Sequence, residues 1–301
     1  MAFETIIGNE IVKKLLNSTI QKNNILHSYL FVGPDGIGKS IFAKEFAQMI
    51  LCENEITKPC HQCKSCLEME SNNHPDFLQI NSDDGKSIKI EQVRFLQEKI
   101  AEKPVSSNRK VYVIYDSDLM TREAANSLLK TLEEPPAYAT LILITSNESK
   151  LLTTIKSRCI KVNFQVIEQE QILQYLRKNN LDAGVTQNML EMCEGSIGKA
   201  LKLQERKDDY AEIEELIHKI SNTDITEIWN HAEVLYKAKE NVMEVLDYMN
   251  LLFYKQLCQK QQTAIVKAIY SVEEAKKRIL ANANYDMSID HLLLEIWEEL
   301  A

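Results

Sequence analysis

Long apolar runs are missing from this 301-residue chain, and none is long enough to cross a bilayer. The opening Met1-Ala2-Phe3-Glu4-Thr5 has neither the basic start nor the apolar core of a secretory signal, so a cytoplasmic location is expected. An excess of positive charge is missing as well. Lys and Arg number 35 against 44 Asp and Glu, for a net charge of −9. Such a chain is not expected to coat DNA by itself, although a local basic surface or a place among other subunits stays open. Internal repeats and low-complexity tracts are absent, and no convincing strand follows residue 165 or so. What remains is ordinary globular material, 45% hydrophobic and 26% charged, with length for two or three domains.

The most specific stretch is Gly33-Pro34-Asp35-Gly36-Ile37-Gly38-Lys39-Ser40, which fits the phosphate-binding pattern G-x-x-x-x-G-K-[ST]. The apolar Ser28-Tyr29-Leu30-Phe31-Val32 before it reads as a buried strand, and 41–50 behind it has apolar residues at helical spacing. Strand, glycine loop and helix together separate the motif from a chance Gly-rich turn. Gly33, Gly36 and Gly38 let backbone N–H groups face an anion, Lys39 reaches the terminal phosphates, and the Ser40 hydroxyl can ligate magnesium. ATP or ADP with Mg2+ is the expected ligand; hydrolysis is a separate question.

Around this loop, residues 1–27 read as one helix with Ile11, Leu15, Leu16 and Ile20 at helical spacing, ending near Asn23-Asn24. Strands are expected at 76–80, 110–116 and 140–145, with helices at 91–100 and 123–134 between them and a short one at 151–155. Alternating strands and helices predict a parallel three-layer α/β domain. Three short helices (168–178, 185–194, 197–206) and then long helices follow, which sets domain limits at 1–165, 166–207 and 208–301. Trp229 and Trp297 are expected core anchors, and Glu212, Glu214 and Glu215 an exposed acidic face.

Four of the seven cysteines cluster as Cys52-x7-Cys60-x2-Cys63-x2-Cys66. In a cytoplasmic chain this suggests metal rather than disulfides. Four thiolates close a tetrahedral Zn2+ shell and leave no place for water or substrate, so the metal is read as structural. A redox Cys-x-x-Cys pair is the competing reading, and it needs only two of the four. Cys159, Cys193 and Cys258 are expected to be small core residues.

Several stretches together resemble the AAA+ subunits of the bacterial clamp loader. They are Ala124-Ala125-Asn126-Ser127-Leu128-Leu129-Lys130-Thr131-Leu132-Glu133-Glu134-Pro135-Pro136, Ser157-Arg158-Cys159, and the four-cysteine insert. The likeness covers about the first 205 residues with specific motifs and the rest by helical character alone. It implies an α/β P-loop nucleotide-binding (AAA+) domain, a small helical lid, and an all-α C-terminal domain that joins an oligomeric collar. It also implies partners: the gamma or tau motor subunits, the clamp-opening delta subunit and, through the complex, the sliding clamp and primer-template DNA.

Two departures point away from the motor subunits. Where motors carry Asp-Glu at the end of the third strand, this chain has Tyr115-Asp116. Tyr115 cannot supply the magnesium carboxylate, and Asp116 is one methylene, about 1.5 Å, shorter than Glu. Where motors carry an arginine that senses the γ-phosphate, Gly195-Ser196-Ile197-Gly198 ends in glycine, and Lys199 lies about 100° further round the helix. The resemblance therefore implies a stator-type subunit that helps load the sliding clamp on primed DNA. It makes Arg158 an arginine finger acting in trans on a neighbour's ATP. A structural arginine capping a helix or pairing with an acid is the bland alternative for Arg158. For the whole chain the alternatives are a gamma/tau-like motor ATPase and, less supported, a small-molecule kinase.

Overall fold

A computed structural model describes residues 3–82, 85–220, 224, 228–229 and 232–300. The outer limits of the expected domains, residues 1 and 301, and parts of the expected long-helix region (221–223, 225–227, 230–231) lie outside the described residues. The chain divides into two compact units, Met1–Tyr175 with Gly195–Gly198, and Leu176–Glu194 with Lys199–Ala301.

The first unit runs α1 (Glu10–Gln21), β1 (Ser28–Val32), α2 (Lys39–Leu51), α3 (Lys64–Glu70), β2 (Phe77–Ile80), α4 (Ile90–Ala101), β3 (Lys110–Ile114), α5 (Arg122–Glu133), β4 (Ala139–Thr145), α6 (Thr153–Lys156) and β5 (Ile160–Asn163). It also holds most of α7 (Gln169–Lys178). The five strands form one parallel sheet in the order β2-β3-β4-β1-β5. Side chains alternate along each strand, and helices cover both faces, so both sets must be apolar. Tyr29, Phe31, Val111, Val113, Ile142 and Ile144 pack on one side with Leu16, Phe42 and Phe46. Leu30, Tyr112, Ile114, Leu141 and Leu143 pack on the other with Val93, Leu96, Leu128 and Leu132. Each such side chain contributes about 1.5–3 kcal/mol relative to an exposed one, which makes the two-sided sheet the main source of rigidity. Because β1 lies between β4 and β5, with β3 beyond β4, the segments leaving β1, β3 and β4 emerge side by side at one sheet edge.

The α/β reading holds, with local corrections. β5 has no counterpart among the expected strands: it is an edge strand, and Ile160, Lys161 and Asn163 are exposed while only Val162 is buried. β3 stops at Ile114, because Asp116 takes a left-handed φ of 44°. On α1, Val12 and Leu16 are buried while Ile11 and Leu15 are exposed, so the inward stripe lies one residue round from the expected one. Lys110, at the start of β3, is buried and donates to the Lys99 carbonyl at 3.1 Å.

The second unit contains α8 (Gln187–Met192), most of α9 (Ile197–Glu205), α10 (Lys207–Lys219), α11 (Glu233–Lys237), α12 (Val242–Lys260), α13 (Thr263–Leu280) and α14 (Tyr285–Leu300). Leu292, Leu293 and Ile296 bury one face of α14. Glu214 is not part of a solvated face: it accepts hydrogen bonds from Asn188 at 2.8 Å, Thr186 at 3.1 Å and the Tyr248 hydroxyl. Burial pushes its carboxyl up, but these bonds outweigh that and hold it below its ordinary value. Trp229 and Trp297 are only half-buried, and Cys258 is exposed, so neither expectation of core packing holds there. No helix among the described residues is long and apolar enough to cross a membrane.

Candidate functional site

The phosphate loop sits where the sequence predicts, between β1 and α2. Gly36 and Gly38 have φ of 72° and 94°, a left-handed backbone that side chains rarely adopt. Gly33 donates its N–H to the Thr145 carbonyl at 3.3 Å, which ties the loop to the end of β4. Ser40 is exposed on the first turn of α2.

Lys39 does not extend from the loop. Its ammonium is buried and donates to the carbonyls of Gly33 and Pro34, both at 2.6 Å, with Asp35 at 3.7 Å. Burial pushes its pKa down, opposed by the charges of Asp35, Asp116 and Asp118. The loop is also covered by its own unit. Gly198 donates its N–H to the Gly36 carbonyl at 2.9 Å. A Cβ on Gly198 would lie 2.8 Å from the Gly36 Cα, so glycine is the residue that permits this approach. Gly198 is thus a backbone contact of the phosphate loop.

Around Lys39 stand the acids of the β3 exit. Burial raises the carboxyl of Asp116 above its ordinary value, with Asp35 and Asp118 adding to it and Lys39 opposing. Tyr115 is half-buried against the core, and burial raises its phenol too. Asp118 escaped the sequence reading. It accepts from the Thr145 hydroxyl at 2.6 Å, linking the β3 and β4 exits. Its only sequence signal is a second carboxylate two positions after Asp116.

Arg158 lies just after α6. The buried Ser28 hydroxyl donates to its carbonyl at 2.6 Å, and its own N–H donates to the Ile155 carbonyl at 3.0 Å. The guanidinium donates from Nη1 to the Thr154 carbonyl at 2.9 Å and from Nη2 to Glu133 at 2.6 Å. Nε–H has no protein partner among the described residues. The side chain is 32% exposed. Glu133 also went unnoticed as a site residue, although it belongs to the Leu-Glu-Glu-Pro-Pro stretch.

The cysteines converge as their spacing predicts. The sulfurs of Cys52, Cys60, Cys63 and Cys66 all lie within 4.8 Å of one another, with Cys52–Cys63 and Cys60–Cys66 each at 3.9 Å. All four are free thiols. A tetrahedral ion with bonds of about 2.3 Å needs sulfurs about 3.8 Å apart, so the set fits a closed four-sulfur metal shell. Local backbone completes it: Cys63 N–H points at the Cys60 sulfur at 3.3 Å and Cys66 N–H at the Cys63 sulfur at 3.4 Å. Backbone N–H groups of Gln62 and Cys63 push the Cys60 thiol down to about 6. Burial pushes Cys52 and Cys66 up. The module is pinned from behind. Ser65 bonds His74 Nε2 at 2.9 Å and donates to the Leu51 carbonyl at 2.8 Å. Asp76 N–H donates to His74 Nδ1 at 3.0 Å, and the Asp76 carboxylate accepts from the N–H groups of Val105, Ser106 and Ser107 at 2.7–2.8 Å. His61 turns away to Glu70 at 2.8 Å.

Comparison with known proteins identifies the family. The model of the family described as "DNA polymerase III, delta subunit" matches residues 8–168. The chain is 32% identical to the DNA polymerase III subunit delta′ of Bacillus subtilis (strain 168), over 95% of each protein. It is 36% identical to the tau/gamma subunit of Haemophilus influenzae, over 58% of this chain but only 25% of that longer protein. Among solved structures it is similar to a DNA polymerase III gamma subunit-related protein of Thermotoga maritima, at a TM-score of 0.52 and 18% identity, over 96% of this chain and 99% of that one. The last is a likeness of fold.

Proposed function

The chain belongs to the delta′ family of DNA polymerase III subunits, and we propose that within the clamp loader it is a stator-type subunit that lends Arg158 to a neighbour's ATP. The observation that carries this reading is the contrast between two cations. Lys39 is buried and satisfied by its own loop, whereas Arg158 is partly exposed, with Nε–H unpartnered among the described residues. A planar fork of permanent charge suits the spread of charge over γ-phosphate oxygens. The neighbours are gamma or tau motors and the delta subunit, and the complex loads the sliding clamp on primer-template DNA in the cytoplasm, at the nucleoid. Residues 1–165 form the AAA+ domain, 166–207 the lid and 208–301 the collar.

If the chain holds ATP or ADP with Mg2+, Gly33, Gly36 and Gly38 supply the cradle, Lys39 the charge and Ser40 the metal hydroxyl. Turnover there is expected to be very slow, because Tyr115 and Gly198 replace a magnesium acid and a phosphate sensor. The four cysteines hold one structural Zn2+. Metal analysis of protein purified under reducing conditions should find one zinc per chain; finding none contradicts this. In the reconstituted complex, Arg158→Ala should cost at least about 10³-fold in hydrolysis at the site it serves. Full activity of that complex would sink the finger assignment, and rapid hydrolysis by the lone chain would favour a motor.

A further inference from the structure

We infer that Glu133 is a positioning residue for Arg158, an assignment that rests on the finger reading above. Glu133 is the last residue of α5, where an acid faces the negative end of the helix dipole and costs the helix stability. Its placement therefore needs another reason. Its carboxylate accepts from Arg158 Nη2 at 2.6 Å while the Thr154 carbonyl holds Nη1 at 2.9 Å. Acceptors from two elements, α5 and α6, with a longer contact from Nη1 to the Ser157 hydroxyl at 3.4 Å, fix the plane of one guanidinium. The Ser28 hydroxyl fixes the same residue's backbone at 2.6 Å.

The pair contributes little to stability, since the two side chains are 32% and 49% exposed. Its effect is on direction. A free arginine samples many rotamers, and each must be given up before the fork meets a phosphate. Held by Glu133 and Thr154, the guanidinium keeps Nε–H without a protein partner among the described residues. Glu133 acts through Arg158, the residue its carboxylate holds.

The test is single-turnover ATP hydrolysis by the reconstituted complex, followed in the phase that Arg158→Ala removes. Glu133→Ala should slow that phase at least about tenfold, as a misdirected catalytic group does, while half-saturating ATP stays within about twofold. Glu133→Gln, which keeps an acceptor oxygen, should recover most of the rate. The double variant Glu133→Ala/Arg158→Ala should match Arg158→Ala alone, because residues acting as a unit are not additive. A normal or faster rate for Glu133→Ala, beside an impaired Arg158→Ala, overturns the positioning role and leaves the finger standing. A double variant slower than Arg158→Ala overturns it too, since Glu133 would then act elsewhere. No effect of Arg158→Ala overturns the finger itself and this inference with it.

Discussion

The phosphate loop and the Arg158 corner are built from the same sheet, yet their cations meet opposite fates. Lys39 sits at the start of α2 with its ammonium against two carbonyls of its own loop. Arg158 sits just before β5 with both Nη groups held and Nε–H without a protein partner among the described residues. Both positions match strong sequence motifs. The motif specifies the residue type and the turn; the acceptors within reach, the loop's own carbonyls for Lys39 and groups of α5 and α6 for Arg158, decide how each charge is held. The Gly33 and Pro34 carbonyls take up the first charge, and Ser28, Thr154 and Glu133 place the second.

This contrast can be broken at several points. The largest effect is the loss already attached to Arg158→Ala. Next comes the cover over the phosphate loop. Gly198→Val places a Cβ only 2.8 Å from the Gly36 Cα, closer than the two backbones can stay. The expected cost is about 1–3 kcal/mol, read as a lower denaturant midpoint with unchanged slope. A midpoint equal to that of the unaltered chain contradicts the close approach. The smallest effect belongs to Asp35, which is 74% exposed and 3.7 Å from Lys39. Asp35→Asn should change stability by less than about 1 kcal/mol and lose even that in high salt. A larger change would mean that Lys39 depends on Asp35 rather than on the loop carbonyls.

The readable parts of the sequence were local ones. Eight consecutive residues specify the loop between β1 and α2, because two left-handed turns and a lysine must follow at fixed spacing. Three of the central strands announced themselves as apolar runs because both of their faces are covered. β5 did not, since an edge strand with Lys161 and Asn163 outward carries only one buried residue. The cysteine spacing foretold the sulfur cluster but not α3, which spans only seven residues. The partners of Lys39 and Arg158 were not legible, because nothing in a sequence says which way a long side chain turns. Glu133 and Arg158 are 25 residues apart, and Gly36 and Gly198 meet only through the fold. Glu214 shows the same limit in the helical unit, where a patterned acidic face hides a hydrogen-bonded carboxylate.

The most direct test sets the two cations against each other in one complex. ATP hydrolysis is measured in single turnover with this chain carrying Lys39→Ala or Arg158→Ala, all partners unaltered. The account predicts that Lys39→Ala changes the rate less than about threefold, while Arg158→Ala removes one site's hydrolysis by about 10³ or more. A collapse with Lys39→Ala and a normal rate with Arg158→Ala would contradict it and make this chain a motor in its own right.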